Sequence, residues 1–206
     1  MSHHRQPSAE KVEKLRRALE EYESGAAGGG LFDVTAEESK AKVRARALLL
    51  LDQRARSRHE LYERLVGLEF EPQVVEAVLD DLAGVGLIND EAFAHEWVRQ
   101  RHVRRGKSAR VLDRELRQKG VGEQERAEAL EQVTEESEES IARGLAEKKA
   151  RSVKAVPADR HERDKALRRI VGVLARRGFP EGMALRLGRE ALDARLAELE
   201  AQAEVE

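Results

Sequence analysis

The 206-residue chain contains no cysteine, which excludes a disulfide framework, a thiol nucleophile and a zinc–thiolate site, and suits a cytoplasmic protein. Aromatic residues make up only 3% of it, too few for a stacking platform that reads single-stranded nucleic acid. Long hydrophobic runs are missing as well. The longest is Ala47-Leu48-Leu49-Leu50-Leu51, against the roughly 20 apolar residues a membrane-spanning helix needs. Residues 1–10 are polar and do not read as a secretory leader. The glycine run at 25–30 lacks the Lys-Ser/Thr of a phosphate loop, and Gly84-Val85-Gly86 reads as a helix stop rather than a dinucleotide fingerprint. Only four prolines interrupt a chain dominated by Leu, Ala, Arg, Glu and Lys, so an all-α protein is expected.

Net charge is also nearly absent, at −2, but the charges are segregated. Residues 99–119 hold nine basic side chains against two acidic ones, and residues 122–140 hold eight Glu against one Arg. Residues 143–177 return to twelve basic against four acidic, and residues 190–206 are acidic again. The balanced total therefore does not argue against a polyanionic partner.

Breaks along the chain divide it into short helices. Residues 1–40 read as an extension, with a short helix from Ser8 carrying Val12, Leu15, Leu19 and Tyr22, followed by the glycine-rich linker. Thr35 with Glu38 and Ser57 with Glu60 have the spacing of capping boxes, Pro72 suits a first helical turn, and Asn89 suits an N-cap. Gly106-Lys107-Ser108, Gly120, Pro157 and Gly178-Phe179-Pro180 supply further stops. The breaks repeat. Leu61, Leu65 and Phe70 align with Leu112, Leu116 and Val121, and these with Ile170, Leu174 and Phe179, at offsets of 51 and 58 residues. Helices of this length do not bury their apolar stripes alone, so neighbouring units must stack. The reading is three tandem three-helix repeats at 41–88, 89–134 and 135–206 in an elongated, curved arrangement.

The residues also resemble a known family. Ser57-Arg58-His59-Glu60-Leu61, Gly86-Leu87-Ile88-Asn89-Asp90-Glu91-Ala92-Phe93-Ala94 with Trp97-Val98 and Arg101, Glu115-Leu116-Arg117-Gln118-Lys119-Gly120-Val121, and Arg177-Gly178-Phe179 are similar to signatures of the RecX regulatory family. The likeness covers about residues 41–195. It departs at Gly106-Lys107-Ser108, where the family tends to have Gly-x-Gly, and at Leu68-Glu69-Phe70, where it tends to have Lys-Gly-Phe. The resemblance implies a monomeric, non-enzymatic modulator in DNA repair and the SOS response. Such a protein lies along the groove of the RecA nucleoprotein filament and reduces its growth, ATPase, strand exchange and co-protease activity, with no cofactor.

Independently of that resemblance, one helix stands out. On a helical wheel Leu112 and Leu116 face a core while Arg110, Arg114 and Arg117 share the opposite side. Two readings apply: a solvated face in which Asp113 pairs with Arg117 and Glu115 with Lys119, or a contact for an anionic surface. Arg104, Arg105 and Lys107 extend the patch, and Arg168, Arg169, Arg176 and Arg177 continue it in the third unit. Phe93 and Trp97 share an arc with Ala94 and Val98 and read as core. Arg101 falls in the same arc and is expected to be half-covered, paired with a carboxylate the sequence does not name. His95 and His102 lie about 10 Å apart along a helix, too far for one metal ion.

Two other functions remain open: a tandem helix-turn-helix protein that binds duplex DNA by itself, and a helical adaptor that binds proteins through its acidic third helices. Against base reading, the stripe is expected to carry Arg and no Asn or Gln.

Overall fold

A computed structural model describes residues 34–204. Among them are nine helices and no strand, so the fold is all-α. The short helix expected from Ser8 and the glycine run at 25–30 lie outside the described residues. The helices are α1 (Val34–Gln53), α2 (Arg58–Val66), α3 (Pro72–Gly84), α4 (Asp90–Arg105), α5 (Ala109–Gln118), α6 (Glu123–Leu130), α7 (Glu135–Ala150), α8 (Arg160–Arg176) and α9 (Glu181–Ala203).

Local chemistry sets most of these boundaries. Ser57 accepts the Glu60 N–H and Glu60 reaches back to Ser57, closing the capping box of α2. Pro72 opens α3 at a position where a missing N–H costs nothing. Asn89, Ser108, Thr134 and Asp159 cap α4, α5, α7 and α8 through side-chain oxygens. Gly106 ends α4 in the left-handed region, at φ 58°. Thr35 differs from expectation: α1 already includes Val34, so Thr35 lies within the helix and not at a cap.

Packing gathers the helices in threes. Helices α1–α3 close over Val43, Leu50, Leu61, Leu65, Val78 and Leu79. Helices α4–α6 close over Phe93, Val98, Leu112, Leu116, Val121 and Ala129. Helices α7–α9 close over Ala142, Ala146, Ile170, Leu174, Leu187 and Leu192. The first helix of this set, α1, begins at Val34, and its buried residues run from Val43 to Leu50.

Successive sets meet through two similar joints, each joining the N-terminus of one second helix to the C-terminus of the next. At the first, the fully buried Ser57 donates its hydroxyl to Lys119 O at 2.6 Å. At the second, the N–H of the equally buried Ser108 donates to Arg177 O at 3.0 Å. A carboxylate from the following set completes each N-terminus: Asp90 Oδ1 accepts the Arg58 N–H at 2.8 Å, and Glu138 Oε1 accepts the Ala109 N–H at 2.7 Å. Gly120 (φ 69°) and Gly178 (φ 83°) provide the close approach. A Cβ on Gly120 would lie 2.4 Å from His59 Cβ, and one on Gly178 would lie 2.3 Å from Val111 Cγ2. Helices α2, α5 and α8 are thereby strung N-terminus to C-terminus through the molecule.

Candidate functional site

Helix α5 sits in the middle of this string and separates its faces sharply. Leu112 and Leu116 are fully buried, each contributing roughly 1.5–3 kcal/mol. Arg110, Arg114 and Arg117 are exposed on the other side. Arg117 is held by Asp113 at 3.0 Å, and Asp113 also takes the buried Arg126 at 2.8 Å. Arg110 and Arg114 have no hydrogen bond or ion pair among the described residues. Two guanidiniums at i, i+4 with no carboxylate repel each other by a few tenths of a kcal/mol, which the fold does not require. Gln118, one turn beyond Arg114, is exposed too, so the face carries an amide as well as arginines.

The surrounding cations divide into free and engaged. Arg104 and Arg105 are exposed at the end of α4, where the helix dipole favours positive charge, and their side chains form no ion pair among the described residues. Lys107 is instead drawn inward to Glu115. Arg177 is half-buried at the second joint, where its guanidinium donates to Arg105 O. That bond brings the end of α8 against the end of α4. Arg168, Arg169 and Arg176 are exposed, with no ion pair among the described residues. Arg169 also lines a hollow of about 280 Å³ with Lys149, Lys154 and Lys165, a clustering that helical spacing alone did not reveal.

Behind the stripe lies a half-buried ion network across the first joint. Arg101 is one-fifth exposed, with its Nε 3.7 Å from Glu115 and its guanidinium carbon 3.1 Å from the centre of the Trp97 ring. Lys119 Nζ lies 4.2 Å from the same ring, and the Trp97 indole N–H donates to Glu115 at 3.2 Å. Phe93 stacks at a tilt on Trp97, with centroids 5.5 Å apart. The expected Glu115–Lys119 pair does not form, because Lys119 reaches across the joint to Glu60 at 2.5 Å while Glu115 serves Lys107 and Arg101. His102 is buried and bonded to Lys107 O and Ser137 Oγ.

Glu60 gives this network a pH signature. Burial alone would push its carboxyl up, but hydrogen bonds from Arg54 and Lys119, with the attraction of both charges, hold it at about 2 against an ordinary 4.5. Stability from this group is thus complete above pH 4.5 and is lost as pH falls towards 2. Glu60→Gln is expected to cost about 1.5–3 kcal/mol at neutral pH, the range for a charge-assisted hydrogen bond. Urea unfolding across that acid window should then show a shallower dependence on pH in the variant than in the native protein.

Two family models match the chain: the first three-helix domain of RecX at residues 44–82 and the second at residues 89–130. The regulatory protein RecX of Corynebacterium efficiens is 63% identical over 195 residues, covering 93% of this chain and 92% of that protein. The chain belongs to the RecX family. Regulatory protein RecX of Streptomyces coelicolor is 45% identical over 152 residues, with 74% and 78% of the two chains covered. A crystal structure of regulatory protein RecX superposes with a TM-score of 0.62 at 28% identity, covering 72% of this chain and 71% of the other. The crystal structure of RecX from Lactobacillus salivarius, at 23% identity and a TM-score of 0.64, covers 77% of this chain and 99% of its own and shares the fold. The α5 stripe and the α4–α8 junction therefore lie on a RecX-family framework. No helix among the described residues is long and apolar enough to cross a membrane.

Proposed function

We propose that this protein regulates RecA by lying in the groove of the RecA–DNA filament and limiting its growth. ATPase, strand exchange and co-protease activity fall as a consequence, and the protein catalyses no reaction itself. In this reading the three helix sets are three units of one curved, monomeric binder acting in the cytoplasm during DNA repair and the SOS response. The observation that carries it is the exposed arginine pair of α5, since Arg110 and Arg114 face solvent with no hydrogen bond or ion pair among the described residues, and Arg104, Arg105 and Arg176 are exposed as well. Family membership supports the regulatory role. Phosphate of the filament's DNA, or an acidic surface of RecA, supplies the missing charge.

Binding through these arginines must weaken with salt, by a slope of about −0.7 per phosphate on single strands. The test titrates labelled protein onto RecA filaments on poly(dT), onto bare poly(dT) and onto bare duplex, at several salt concentrations. Tighter binding to the filament, with a salt slope reduced in Arg110→Glu/Arg114→Glu, is the expected result. Absence of filament binding at low salt overturns the proposal. Equal binding to bare duplex transfers the function to the tandem helix-turn-helix reading, for which exposed Gln118 offers a base-reading group.

A further inference from the structure

Beside the first joint, on the side of the ion network that faces α1, lies a hollow of about 460 Å³. Leu51, Leu87 and Trp97 line it together with Arg54, Arg56 and Arg101. Its charges do not balance. Glu60 is shared by Arg54 and Lys119, and Glu115 by Lys107 and Arg101. Arg56 forms no ion pair among the described residues, although Glu60 attracts it at longer range; its Nε donates to Leu50 O at 3.1 Å. Glu96, on the far wall, is already engaged by Arg99 and Gln100. Burial, reinforced by Arg54 and Arg64 and only partly opposed by Glu60, pulls the Arg56 guanidinium below its usual range. Burial likewise lowers Arg101, with Arg105 and Arg54 adding to it and Glu115 only partly opposing.

The hollow therefore presents excess positive charge next to apolar surface, including Leu87, which is 54% exposed. A nucleic-acid phosphate would meet the charge but leave the apolar surface wet. A base has no free ring to stack on, since Arg101 and Lys119 already lie against Trp97. An acidic peptide with one bulky apolar side chain meets both requirements. We propose that this hollow docks such a segment of a partner protein, its apolar anchor seated on Leu51 and Leu87 and its carboxylates on Arg54, Arg56 and Arg101. The proposal does not depend on the filament being the target, because peptide binding is read directly.

The test selects a phage-displayed random 12-residue library on the full chain and measures the strongest synthetic peptide by fluorescence anisotropy. The enriched peptides are expected to carry at least two acids around a bulky aliphatic or aromatic residue. Leu87→Glu, at an exposed position that leaves helix content unchanged by circular dichroism, should weaken binding at least tenfold, as should Arg56→Glu. Replacing the peptide's apolar anchor by Ala should do the same. Enrichment of no acidic peptide, or unchanged binding to Leu87→Glu, overturns the proposal. Displacement of the peptide by oligo(dT) from the native protein, with oligo(dT) binding itself lost in Leu87→Glu, overturns it in favour of nucleic acid.

Discussion

Arg110→Glu/Arg114→Glu is expected to leave the fold intact and to weaken inhibition of the RecA filament at least tenfold, a loss of ~1.4 kcal/mol or more. Both side chains are exposed and unpaired, so no internal interaction is lost and the like-charge repulsion between them is merely exchanged for another of similar size. Thermal unfolding should shift by no more than a degree or two. Arg117→Glu should have a smaller functional effect, because Arg117 is already held by Asp113 and its charge is partly neutralised. It should also carry a stability cost that the double variant lacks, since the reversed charge faces Asp113 one turn away. Unchanged inhibition by a folded Arg110→Glu/Arg114→Glu protein would reduce the stripe to a solvated face.

The second large effect is expected at the joints. Gly120→Ala and Gly178→Ala each place a side chain in the left-handed region, costing roughly 1–2 kcal/mol before any contact is counted. The added methyl groups then meet His59 Cβ at 2.4 Å, an atom fixed to its helix, and Val111 Cγ2 at 2.3 Å, with Ser108 Oγ beside it at 2.6 Å. One set of helices must tilt against the next: Gly120→Ala disturbs the first joint, and Gly178→Ala the second, where Arg177 donates to Arg105 O. Melting temperature should fall by about 2–4 °C for each kcal/mol, and inhibition should fall with it. Gly84→Ala is the control: nothing lies within 4 Å of its Cβ, and it occupies the end of α3, so the change should be neutral or slightly stabilising. Inhibition retained in full by both joint variants would show that the sets act independently.

Helical periodicity and caps make the central helices legible in the sequence. Leu112, Leu116 and the arginines opposite them depend only on spacing within ten residues, and Ser57 and Asn89 cap the helices their own oxygens can reach, whereas Ser108 read as a break and serves as a cap. What spacing does not carry is partnership at long range. Arg101 meets Glu115 from the next helix, and Lys119 leaves its i−4 neighbour for Glu60, 59 residues away, because the joint brings Ser57 onto its carbonyl. The same folding turns Lys107 and Arg177 inward, so two members of the basic series act as ties while Arg110, Arg114 and Arg176 stay free. Two joints built alike, from serines 51 residues apart and glycines 58 apart, follow from the repeat offsets only once the helices are placed.

The most direct test of the regulatory account is the single-stranded-DNA-dependent ATPase of RecA from the same organism, with this protein titrated in. The account predicts inhibition well below one molecule per RecA, because stopping growth at a few points along a filament affects all the subunits that would have joined it. No inhibition at an equimolar ratio would contradict it.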